Sequence, residues 1–137
     1  MLTEREITPR QTRYVTTITN ALATRGHATN AELLGDIRSE FPEVSITTVH
    51  RVTSRLKARG IIGAAPSAAS GAERFDTNPM PHHHFMCGQC GSVCDIPQTN
   101  EALKVMHQLK ELSGRCAIAG MLTMQGTCLD CARKETT

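Results

Sequence analysis

Aromatic residues are scarce: the 137-residue chain has no Trp, one Tyr and three Phe. Its core must therefore draw on Leu, Ile, Val, Ala and Met. Small lobes with thin cores commonly need a metal or a partner subunit to hold together. No apolar run is long enough to cross a bilayer, and the opening Met1-Leu2-Thr3-Glu4-Arg5 lacks the apolar stretch of a secretory signal. Neither sign of charge dominates, with a net charge of +2. There is no internal repeat and no low-complexity tract. These absences point to a cytoplasmic protein with reduced thiols, which favours metal binding over disulfides. At this length the chain makes one ordinary domain or two small ones.

Against that background the cysteines stand out. Cys87 and Cys90 form one Cys-x-x-Cys pair, and Cys128 and Cys131 form another. A two-residue gap lets both thiolates of a pair turn toward one ion, and two such knuckles supply the four-sulfur tetrahedron of structural zinc. A closed site of this kind leaves no open position for hydrolytic chemistry. Cys94 and Cys116 stand alone and read as small core fillers. Just ahead of the first knuckle lies His82-His83-His84. Alternation along a strand puts His82 and His84 on one face and His83 on the other. The sequence thus implies two sites of different chemistry, one of sulfur and one of nitrogen and oxygen.

The first half reads as helices. Thr8-Pro9 marks a helix start, followed by Val15, Ile18 and Leu22 at helical spacing and a stop at Gly26. Thr29 or Asn30 caps a second helix reaching about Glu40. Ser45 caps a third, from Ile46 to about Arg59, with Gly60 at its end. On that helix Ile46, Val49, Val52 and Leu56 share one face, and Thr47, His50, Arg51 and Ser54 the opposite one. Residues 1–60 hold nine Lys/Arg against six Asp/Glu, and Arg51 to Arg59 carries four basic residues and no acid. This is a modest mark of phosphate contact. Strands over 61–65 and 73–77 would form a wing, completing a helix-turn-helix reader. Asn78-Pro79-Met80-Pro81 reads as a linker. Beyond it, 85–87 and 92–96 look extended, 101–112 is helical with Leu103, Met106, Leu109 and Leu112 near one face, and 117–123 is a further strand.

This layout resembles the ferric uptake regulator family of bacterial metal-responsive repressors. The resemblance runs from Ile7-Thr8-Pro9 to Cys131 and is most specific at Ser-Ile-Thr-Thr-Val-His-Arg (45–51), at the His-x-His-x-x-Cys-x-x-Cys-Gly run (82–91) and at the final Cys-x-x-Cys. It implies an α+β chain: a winged helix-turn-helix domain over 1–78, a linker at 79–81, and a small α/β dimerisation domain over 82–137 holding the four-cysteine zinc. It implies a homodimer on a double-stranded DNA operator, and a regulatory iron(II) or manganese(II) held by His27, Asp76, His82, His84 and Asp95. Three imidazoles and two carboxylates suit those ions. The zinc-sensing branch usually has cysteine in place of Asp76. Aspartate rather than glutamate at 95 leans toward the peroxide-sensing branch, in which His27 and His82 would be the oxidised ligands.

For DNA contact, Thr47, His50 and Arg51 are the candidates at base edges and Arg55 and Lys57 at phosphates. Three departures affect operator choice: His50 stands where tyrosine is usual, Gln11 replaces a common arginine beside Arg10, and Glu6 replaces a basic residue. The absence of histidine in 117–127 implies no third metal. The alternatives are an iron or manganese homeostasis repressor, a zinc enzyme, and a plain zinc-ribbon module. A zinc deaminase would need a His-x-Glu and Pro-Cys-x-x-Cys signature, which neither the histidine cluster nor Met86-Cys87 supplies. Sacrificial oxidation of a ligand is not turnover, so the expectation is a regulator and not an enzyme.

Overall fold

Helix α1 (Pro9–Arg25) opens the computed structural model, which describes residues 9–114 and 121–135. Thr8, Glu6, Cys116 and residues 117–120 lie outside the described residues. The chain divides into two compact units, Met1–Pro79 and Met80–Thr137.

In the first unit, Gly26 ends α1 with φ +80°, a left-handed conformation that favours glycine. Strand β1 (His27–Thr29) follows, a short element that the sequence pattern did not reveal. Thr29 then caps α2 (Asn30–Ile37). Its hydroxyl accepts from the Glu32 backbone N–H, and the Glu32 carboxylate reaches back to the Thr29 N–H at 3.0 Å, closing a capping box. Helix α2 stops at Ile37 rather than near Glu40, because 38–40 turn sharply and the Phe41 N–H closes back on the Ile37 carbonyl. Ser45 caps α3 (Ile46–Ala58), its Oγ accepting from the Thr48 N–H.

The wing comprises β2 (Gly63–Ala65) and β3 (Arg74–Asp76), each shorter than expected. Strand β3 pairs antiparallel with both neighbours, giving the order β1-β3-β2. The core gathers Ile18 and Leu22 from α1, Leu33 and Ile37 from α2, Val49 and Leu56 from α3, and Phe75 from β3. Burying each such side chain contributes about 1.5–3 kcal/mol. Ile46 corrects the expected inner face of α3: it is exposed, and Thr53 is fully buried in its stead.

The second unit has β4 (His83–Cys87), β5 (Val93–Ile96), α4 (Asn100–Ser113), β6 (Thr123–Gly126) and α5 (Leu129–Glu135). Strand β4 begins two residues earlier than expected. It is antiparallel to β5 and parallel to β6, in the order β5-β4-β6. A parallel pair needs a crossover, and α4 lies in it, capped by Thr99 and stopped at Gly114. Of the strand expected over 117–123, residues 117–120 lie outside the described residues and only Thr123 of the rest is in a strand, at the start of β6; α5 was not foreseen. None of the α4 residues is buried; Leu103, Val105 and Leu112 are exposed.

Candidate metal centres and nucleic-acid interface

The sulfur cluster is assembled by the end of β4 and the start of α5. Cys87 is the last residue of β4, and the turn back to β5 passes Gly91 at φ +75°. The register that sets Cys87 opposite Gly126 brings the second knuckle alongside, with the Gly88 N–H donating to the Gly126 carbonyl at 2.8 Å. All four sulfurs lie within 4.8 Å of one another, and Cys90 Sγ is 3.8 Å from Cys128 Sγ. A tetrahedron with Zn–S bonds of about 2.3 Å has edges of about 3.8 Å, so the cage fits zinc.

The protonation chemistry agrees. The backbone N–H groups of Cys90 and Cys128 pull the Cys87 thiol down to about 6, and hydrogen bonding from Ser92 lowers Cys90. Cys131 is pushed up to about 12, first by the neighbouring Cys128 sulfur and then by burial. Four sulfurs this close cannot all ionise unless a cation joins them.

Nitrogen and oxygen donors occur in both units. In the first, His27 and Asp76 are directly opposed across the β1–β3 ladder, so their side chains share a face. His27 Nε2 lies 3.3 Å from Asp76 Oδ2. The Asp76 side chain is almost fully buried and also accepts from the Asn78 N–H at 2.8 Å. In the second unit His84 opposes Asp95 across β4 and β5. His82, two residues before His84, falls on the same side, with the imidazole centroids 4.5 Å apart. Asp95 Oδ1 lies 3.1 Å from His82 Nε2 and 3.5 Å from His84 Nε2.

All three histidines of the cluster are buried; none is simply solvated. His83, on the other face, takes the Leu122 N–H on Nδ1 at 3.0 Å. His82 is the most telling. Its Nδ1 lies 2.6 Å from the Met80 carbonyl, which can only accept, so Nδ1 carries the proton. That leaves Nε2 facing the Asp95 carboxylate at 3.1 Å, where a second ring proton or a cation joins the two. A backbone carbonyl on the far nitrogen is how ligand histidines are commonly oriented, so the arrangement suits a cation at Nε2. The donor set fits a divalent ion of intermediate hardness.

Along α3, Thr47, His50, Arg51, Arg55 and Lys57 are all exposed. Lys57 Nζ pairs with Glu73 at 2.6 Å, tying the helix to the wing. Arg51 and Arg55 edge a cleft of about 360 Å³ floored by Val15, Val52 and Leu56. His50 reaches inward: its Nδ1 is 3.1 Å from Asn30 Nδ2, and Asn30 Oδ1 is 2.7 Å from Thr53 Oγ1. Asn30 and Thr53 were missed in the sequence. A buried asparagine one position after a helix cap carries no local signal of its partner.

The family model described as the ferric uptake regulator family matches residues 5–115. The peroxide-responsive repressor PerR of Staphylococcus saprophyticus is 27% identical over 115 residues, covering 82% of this chain and 75% of that protein. The solved Helicobacter pylori ferric uptake regulator Fur, described as having three functional metal binding sites, superposes with a TM-score of 0.70 at 20% identity, covering 88% of this chain and 80% of that one. The Campylobacter jejuni peroxide stress regulator gives 0.69 at 19% identity, covering 89% and 91%. These structural likenesses establish the fold.

Proposed function

The chain belongs to the ferric uptake regulator family, a family of transcription regulators, and on that premise we propose that it is a cytoplasmic, homodimeric, metal-dependent repressor that responds to peroxide. The observation that carries the proposal is the His82 arrangement. An imidazole fixed by the Met80 carbonyl turns its second nitrogen toward Asp95, beside His84.

The regulatory ion draws on His27, Asp76, His82, His84 and Asp95. Each unit supports its share separately, through the opposed pair His27–Asp76 in the first and the His82–His84–Asp95 group in the second. A cation that needs donors from both units binds one relative arrangement better than others, and so shifts the population toward it. Iron(II) held there would supply the electron that cleaves hydrogen peroxide next to the ligand imidazoles. The part of the chain is to hold those rings at the ion, with His27 and His82 the ones oxidised. The four-cysteine zinc is structural. Exposed Thr47, His50, Arg51, Arg55 and Lys57 on α3 are assigned to the DNA duplex, and the exposed apolar residues of α4 to the second copy. The curated relatives named as peroxide-responsive repressors favour this branch.

The test loads zinc-replete protein with iron(II) or manganese(II) and exposes each form to low peroxide. Binding to an operator selected from random DNA is then followed together with peptide masses. Operator release with iron only, and an added oxygen on the peptide containing His27 or His82, is the expected result. Binding that survives oxidation in the iron form would reduce the protein to a metal-homeostasis repressor. Light scattering should give twice the chain mass; a single chain at micromolar concentration would remove the dimer.

A further inference from the structure

This inference rests on the assignment of α3 to DNA and concerns what His50 can read there. His50 is exposed, yet its ring is tied to one buried polar side chain, Asn30 (6% exposed), which is in turn bonded to Thr53 (0% exposed). The 2.7 Å separation between Thr53 Oγ1 and Asn30 Oδ1 is typical of a hydroxyl donating to oxygen and short for an amide N–H. The Thr53 hydroxyl also lies 3.0 Å from the Val49 carbonyl, but its shorter contact is to Asn30, so it donates there, Asn30 turns its carbonyl toward Thr53, and its NH₂ faces His50. An amide nitrogen can only donate, so His50 Nδ1, 3.1 Å away, accepts. With Nδ1 accepting, the proton of the neutral ring sits on Nε2.

We propose that Thr53 and Asn30 are positioning residues that hold His50 as a one-way hydrogen-bond donor, and that this sets base preference at one operator position. A free neutral imidazole interconverts between two tautomers and offers Nε2 either as donor or as acceptor. Held in one tautomer, it matches a base edge that accepts. In the major groove guanine presents two acceptors, N7 and O6, whereas cytosine presents only the N4 donor. The base beneath His50 is therefore guanine in preference to cytosine. The relay links the first turn of α2 to the exposed face of α3, so the specificity of one helix is partly written in another.

The test has one arm without DNA, on the full chain loaded with zinc alone, and one with it, on the full chain loaded with zinc and manganese. Long-range proton–nitrogen correlation spectra distinguish ring nitrogens that bear hydrogen from those that do not. In the wild type His50 Nδ1 should lack a proton and Nε2 should carry one. Asn30→Asp replaces the donor by a carboxylate oxygen that can only accept, and should move a proton onto Nδ1.

In the second arm, operators are selected from a random pool and rebound with each base exchanged. The wild type should favour guanine over cytosine at one position by about three- to tenfold, the value of one hydrogen bond. His50→Ala and Asn30→Ala should both bring that ratio below about twofold, with affinity for unselected DNA little changed and cooperative melting retained. Thr53→Val, which lacks the hydroxyl, should lower the ratio in the same direction. A proton on Nδ1 in the wild type, or a guanine preference that survives His50→Ala, overturns the inference. Selected operators bound with no dependence on His50 sink it alone; failure to bind any DNA with both metals present sinks the repressor reading with it.

Discussion

At the scale of single residues, the two metal centres differ in how their donors are readied. Cys87 is held near 6, so folding favours its thiolate; that contribution is present above the ordinary thiol value and is lost as pH falls through about 6. Cys131 runs the other way: pushed to about 12, its protonated form is favoured, and that preference is lost only as pH rises through about 12. Zinc must displace the Cys131 proton across the whole neutral range. The expected result is a zinc affinity that climbs with pH by about tenfold per unit for each proton released, checked by chelator competition with proton release measured in parallel. A pH-independent affinity would mean the thiols are already ionised together.

In the second centre the informative variant is Asp76→Ala, since Asp76 belongs to the first unit and the three-donor group to the second. If the ion uses both, manganese affinity should fall by at least about 10–100-fold with zinc content unchanged, as read by calorimetry and metal analysis. An unchanged affinity would confine the ion to His82, His84 and Asp95. The Cys-x-x-Cys spacing was legible because the chemistry imposes it locally. The Asn30–Thr53 tie to His50 was not, because its partners are 20 and 23 residues apart in sequence and nothing near either end announces the other.

At the scale of elements, the helices of the first unit could be read from caps, glycine stops and apolar spacing. The strands were harder. β1 has three residues, too few for alternation to register, yet it carries His27 and lays it opposite Asp76. α5 has seven residues, too short for a helical period, and supplies the buried Cys131. β1 exists through its pairing with β3, and at both positions the ligand residue was legible before its element was.

The wing adds a steric constraint of its own. Gly63 in β2 lies opposite Asp76 in β3, and a Cβ on it would sit 2.8 Å from the Asn78 carbonyl oxygen and 3.2 Å from Pro79 Cα. Asn78 is also the residue whose N–H holds the Asp76 carboxylate. Gly63→Ala should destabilise the first unit by about 1–3 kcal/mol through overpacking. It should also weaken manganese binding while sparing zinc. Chemical denaturation and manganese titration together check this; loss of stability with normal manganese affinity would separate the wing from the ligand.

At the scale of the whole molecule, the two units differ in what fills them. Every buried aliphatic and aromatic side chain among the described residues lies in the first unit. The buried side chains of the second are Cys87, Cys131 and the three histidines. The first unit should therefore survive removal of metal and the second should not. Stripping zinc under reducing conditions should split thermal unfolding into two steps, with amide exchange becoming fast over β4, β6 and α5 while α1 to α3 stay protected. A single unaltered transition after complete zinc removal would show that the second unit folds without its ion.

A lobe lined with sulfur and imidazole also has a fate in time. Copies deprived of cations would present opened chain to proteases, so polypeptide lifetime would track zinc supply, and the number of regulator molecules would be governed by nutrition as well as by ligand occupancy. Pulse-chase decay in zinc-poor and zinc-rich cultures would measure it, with shorter half-lives expected in the former.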